Sequence, residues 1–228
     1  MDDAGSGVKD PPPPGSNPDA AVIVGFPDAS GGGGGVDGGA GLDAGCALET
    51  IDLLENGNFD SGAGVAWTEQ SSGGLAIILE EGADEFPDTL QIPADSGTFL
   101  AYLAGYPSAV DSLQENVTLP ADATGVRLRG VRQIATSETV DQPFDNAFVE
   151  IQPPGGEDAE ELARFTNQDA TAPGAYVEFE ARANGDYRGQ TVTVQVRATT
   201  DASLNTHFFF DSLVLEVETC SGSIAAPR

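Results

Sequence analysis

Lysine is nearly missing from this chain. Lys9 is the only one, and the nine basic residues face 37 aspartates and glutamates, a formal net charge of −28 over 228 residues. A surface so acidic repels phosphate backbones and anionic headgroups, so nucleic acid and anionic membranes are poor partners and cations are good ones. Histidine is as scarce. His207 stands alone, at the start of an apolar run, so a Ser-His-Asp or Cys-His constellation would have to be built around one residue. One histidine and two cysteines are too few for an ordinary zinc site. No apolar run reaches membrane-spanning length, no phosphate-binding glycine loop opens a helix, and no window sustains a 3.6-residue period over three turns. These gaps argue against an enzyme and against a helical fold.

What is present divides the chain in three. Residues 1–45 hold 13 Gly, 6 Pro and 7 Asp, with Phe26 the only aromatic. They bury too little to offset backbone ordering and read as a tether, stiff at the proline run 11–14 and flexible at the glycine run 31–35. Within the tether, residues 21–26 (AVIVGF) are apolar and β-branched, so they are a candidate for strand addition to a neighbouring molecule; the alternative is a sticky patch in an unstructured tail. Residues 46–221 form the expected domain, and 222–228 a short C-terminal tail.

Through the domain the alternation has period two. Val192, Val194 and Val196 face one way, Thr191, Thr193, Gln195 and Arg197 the other; Val177, Phe179 and Ala181 repeat the pattern. Further strands are expected at 51–54, 75–79, 98–104, 112–119, 125–134, 147–151, 162–166 and 207–217. About ten strands at this spacing predict an all-β antiparallel sandwich. The last run, HFFFDSLVLEV, directs Leu213, Leu215 and Val217 inward and leaves Asp211 in apolar company, out of place unless something offsets its desolvation. Cys46 and Cys220 flank the first and last strands. In a sandwich with neighbouring ends this placement suggests one disulfide, the alternative being two reduced thiols. An oxidised pair implies export after removal of a leader, hence an extracellular or bacterial cell-surface location.

Several short segments carry a family resemblance. NGNFD at 56–60 followed by Trp67 resembles the NGxFE…W opening of jelly-roll carbohydrate-binding modules of the galactose-binding-like fold. Ser96-Gly97 before TFLAYL is similar to their SGxxSL segment, and FFFDSLVLEV to their closing FxxDDVxL strand. The tether resembles the spacers of bacterial surface lipoproteins, without their anchoring cysteine. The resemblance implies a non-catalytic module that binds a polysaccharide or surface glycan. It also implies a structural calcium ion (Ca2+) held by Asp60, Asp211 and the backbone of Ser96 and Gly97. Aromatic sugar platforms are expected at Tyr106 (AGYPSA) and Tyr187 (NGDYRG), where Gly and Pro place them on loops, with Trp67 matching a position more often in the core. A surface or filament subunit assembling through residues 21–26 is the alternative function.

Overall fold

The structure is a computed structural model that describes residues 47–221 other than 88, 89, 91 and 157. The tether with its 21–26 segment, Cys46 and the 222–228 tail therefore lie outside the described residues. Eleven strands follow in order: β1 (Ala47–Asp52), β2 (Thr68–Ser71), β3 (Ile78–Glu80), β4 (Phe99–Ala104), β5 (Val110–Thr118), β6 (Ala123–Thr136), β7 (Asn146–Gln152), β8 (Glu160–Thr166), β9 (Val177–Arg182), β10 (Thr191–Thr199) and β11 (Thr206–Ser221). A 3-10 turn, Asn167–Asp169, is the only helical element among the described residues, and none is long and apolar enough to cross a membrane.

All pairings are antiparallel, in two sheets that form the expected sandwich. One runs β3-β4-β11-β6-β9, with β1 also on β11; the other runs β2-β5-β10-β7-β8. β11 organises the first sheet. It pairs with β6 along its length, with β4 through His207 to Phe210, and with β1 through Glu216 to Ser221. The change of partner falls at a bulge between Asp211 and Val214, where Ser212 takes φ +53° and Leu213 donates to the Gly57 carbonyl at 2.8 Å. Such a bulge bends the strand and re-aims its side chains.

Between the sheets, Phe208, Phe210, Leu213, Leu215 and Val217 of β11 meet Val192, Val194 and Val196 of β10. Burying each large apolar side chain stabilises by about 1.5–3 kcal/mol. Phe209 points the other way, into a second cluster with Leu79, Phe86, Ile92, Leu100 and Tyr102. Phe86 and Ile92, from the chain between β3 and β4, thus cover the outer face of this sheet at one end.

Most expected strands agree with those found, with two differences. The strand expected at 51–54 ends at Asp52, because its carboxylate accepts the N–H groups of Leu54 and Leu215 and turns the chain away. The one expected at 75–79 shrinks to Ile78–Glu80, while a strand not expected, β2, forms at 68–71. Its sequence TEQS has no apolar alternation. Glu69 compensates by accepting the Ile77 and Ile78 N–H groups, at 2.6 and 3.1 Å.

Candidate functional site

The four residues expected to hold calcium do converge, on the loop 95–99. Asp211 is fully buried; its Oδ2 accepts the N–H groups of Asp95 (2.8 Å) and Ser96 (3.1 Å), and its Oδ1 that of Ser212 (2.5 Å). Burial nevertheless pushes its carboxyl up to about 6, the three N–H donors pulling the other way. Asp60 is exposed, and its Oδ1 accepts the N–H groups of Thr98 (2.8 Å) and Phe99 (3.3 Å) while Oδ2 takes the Asn58 amide (2.9 Å). Gly97 lies between them at φ +61°, and a Cβ there would fall 1.8 Å from Asp60 Oδ2. Only glycine permits that approach.

Calcium requires six to eight hard oxygens. Here each carboxylate accepts three N–H groups, which leaves about one lone pair on each. Among the described residues no group of three or more Asp, Glu, His or Cys side chains is placed to hold a metal ion. Backbone and amide N–H groups hold both carboxylates at this corner, and the calcium ion that the resemblance implies would have to add its oxygens to this set.

The three aromatic candidates all pack against the main core. Trp67 is buried, with its ring 5.7 Å from Phe59 and its indole N–H donating to the Asn56 carbonyl at 3.0 Å. Tyr106 is half-buried. Its hydroxyl donates to Asp111 at 2.5 Å, accepts the Gly73 N–H at 2.8 Å and lies within 3.1 Å of the Ser71 and Ser72 hydroxyls. Tyr187 is buried and donates to Glu160 at 2.6 Å. The expectation that both tyrosines stand exposed is corrected by one physical cause: each phenol folds back over a glycine. A Cβ at Gly73 or Gly185 would come within 2.9 or 2.5 Å of the ring. His207 is buried too, its Nδ1 2.9 Å from the Tyr102 hydroxyl, and burial pushes its imidazole down to about 4, so it is neutral.

A different surface gathers aromatic, guanidinium and amide groups. On the outer face of the five-stranded sheet, the register aligns Gln70 of β2, Ser112 of β5, Arg197 of β10, Phe148 of β7 and Arg164 of β8 in one cross-strand row. The Phe148 ring carries the Arg197 guanidinium 4.2 Å from its centroid and that of Arg164 at 5.2 Å. Arg197 is fixed on Glu150 by its Nε (3.3 Å) and Nη2 (3.0 Å). Arg164 is fixed on Asn146 Oδ1 by the same two groups, at 3.0 and 2.6 Å. The next row on this face holds Gln114 and the buried Gln195, and the row after it Asn116, whose Oδ1 accepts the Thr193 hydroxyl at 2.8 Å.

No family model matches the chain, and no curated protein matches it in sequence. Solved structures do. TmCBM61, determined in complex with β-1,4-galactotriose, is similar with a TM-score of 0.52 and 16% identity, over 72% of this chain and 97% of that one. The K3 cleaved adhesin domain of Lys-gingipain from Porphyromonas gingivalis is similar with a TM-score of 0.50 and 15% identity, over 74% and 99%. The domain has the β-sandwich fold of carbohydrate-binding modules. On this module-like sandwich the residues that sequence reasoning missed are Phe148, Arg164, Arg197 and Glu150. The alternation of β10 already places Gln195 and Arg197 outward, but outward positions of a sandwich strand read as plain solvent face. Only the register, which sets Phe148 between two arginines from flanking strands, distinguishes them.

Proposed function

We propose that the domain is a non-catalytic binding module that holds a polysaccharide across the outer face of its five-stranded sheet, in an extracellular or surface setting. The observation that carries this reading is the row from Gln70 to Arg164 with Phe148 in it. The half-buried Phe148 ring, with guanidinium groups stacked on it from both neighbouring strands, offers its rim to the apolar side of a sugar, and the fixed guanidinium and amide groups suit its hydroxyls. Four inter-strand gaps of about 4.8 Å make the row about 19 Å long, enough for an oligosaccharide. The oligosaccharide in the TmCBM61 structure supports the ligand class. The binding face does not depend on a calcium ion at Asp60 and Asp211, whose presence a melt with and without chelator decides.

Affinity electrophoresis against a panel of polysaccharides tests it. Retention on at least one glycan, lost in Phe148→Ala with an unchanged melt, is the expected result; no retention on any glycan by the folded protein refutes it. A second reading, a surface or filament subunit assembling by strand addition, draws on one observation. Among the described residues β1 pairs only with β11, so it is an edge strand, and Leu48 on it is 67% exposed. Deletion of residues 1–45 that leaves light scattering unchanged rules that reading out.

A further inference from the structure

The glycan reading leaves open which saccharides fit, and the two arginines bear on this. Each is anchored along its Nε–Nη2 edge by a side chain of β7, Glu150 for Arg197 and Asn146 for Arg164, so among the described residues Nη1 of each has no hydrogen-bond acceptor. The two anchors differ in charge. Glu150 neutralises Arg197, whereas Asn146 fixes the direction of Arg164 and leaves its charge standing; among the described residues Arg164 has no ion-pair partner. Arg164 is also exposed, so the charge is available to a ligand.

Of the seven described arginines, Arg127, Arg129, Arg188 and Arg197 have carboxylate partners and Arg132, Arg164 and Arg182 have none; of these three, Arg164 alone shares an aromatic ring with a second guanidinium. The row around Phe148 holds two guanidinium groups and no acid of its own. Glu150 stands in the adjacent row, opposite Glu161 in the register. A guanidinium held in place by a neutral amide, next to an apolar ring, suits a planar anionic group with the sugar ring lying beside it.

Resting on the reading of this face as a glycan-binding surface, we propose that it takes an acidic saccharide, with the carboxylate or sulfate of the sugar on Arg164 and its ring against the rim of Phe148. The net charge of −28 opposes a polyanion at long range. At physiological ionic strength charges beyond about 8 Å are screened, while a direct contact is not, so the local cation decides.

The test compares three immobilised polysaccharides in 0.15 M salt: a polyuronate, a sulfated glycan and a neutral galactan. It uses the full chain and two variants that change net charge equally, Arg164→Gln and Arg182→Gln. Arg182 is exposed in β9, on the other sheet. The expected result is preference for one of the two acidic glycans, about tenfold weaker in Arg164→Gln and unchanged in Arg182→Gln, by the usual strength of a charged hydrogen bond. Whichever acidic arm is retained identifies carboxylate or sulfate. Equal binding of the neutral galactan by all three proteins overturns the acidic preference and keeps the glycan face. An equal loss in both variants reduces the effect to net charge and also overturns it. No retention on any arm, with intact melts, overturns the proposal together with the reading it rests on.

Discussion

Replacing Asp211 by asparagine separates two ways of holding a buried carboxylate. In the wild-type protein burial raises its carboxyl from 3.8 to about 6. The folded state therefore keeps a proton between these values that the unfolded chain has released. Stability from this group is complete below about 3.8 and is lost as the pH rises through 6. A shift of this size corresponds to at most about 3 kcal/mol. Asparagine does not titrate, and its NH2 group must face at least one of the N–H donors of Asp95, Ser96 or Ser212. Leaving that buried donor unpaired costs about 1–3 kcal/mol. The variant should thus be less stable at pH 4, with the gap to wild type narrowing by up to about 3 kcal/mol by pH 7.5. Urea unfolding of both proteins across this range, with and without chelator, measures it. Taking the difference cancels the repulsion among the other acids, which changes with pH in both proteins. A gap constant with pH would show that Asp211 stays charged throughout, as it would beside a cation. A wild-type melt lowered by chelator would restore calcium and refute the hydrogen-bonded account.

Two further outcomes are expected. Gly97→Ala should destabilise by about 2 kcal/mol or more, since it combines a left-handed backbone with a Cβ only 1.8 Å from Asp60 Oδ2. Adding Asp60→Ala should recover part of that loss, which a double-mutant cycle of chemical denaturation reads as coupling. If Cys46 and Cys220 are joined, Cys220→Ser or added reductant should lower stability by roughly 4–5 kcal/mol, by the entropy of so long a loop. A melt indifferent to reductant would show two separate thiols.

The sandwich was legible because its core repeats a simple signal: Val192, Val194 and Val196 alternate with polar residues, and Leu213, Leu215 and Val217 do the same across from them. Asp211 was legible as an anomaly, an acid in an apolar strand. Its solution was not, because the bulge at Ser212 and the N–H groups of the 95–99 loop are tertiary facts. β2 escaped because its stability comes from Glu69 bonding across to Ile77 and Ile78, with no pattern inside the strand. Tyr106 and Tyr187 were assigned to loops correctly, but Tyr106 is half-buried and Tyr187 buried. Glycine marks a turn, but it also makes room for a ring to fold inward. The row around Phe148 was invisible for a different reason: its members are far apart in sequence, and only strand order brings them together.

β11 shares its final turns of pairing with β1, and Ala47 lies opposite Ser221. The two ends of the described domain therefore leave it side by side. Tension applied through both ends would load the β1–β11 ladder as a zipper, one pair at a time, instead of shearing all its bonds together. Mechanical resistance would then depend on the first few pairs. A covalent link between Cys46 and Cys220 would sit at that very mouth and carry the force before the ladder felt it, making the redox state of two atoms the difference between a module that peels under flow and one that holds.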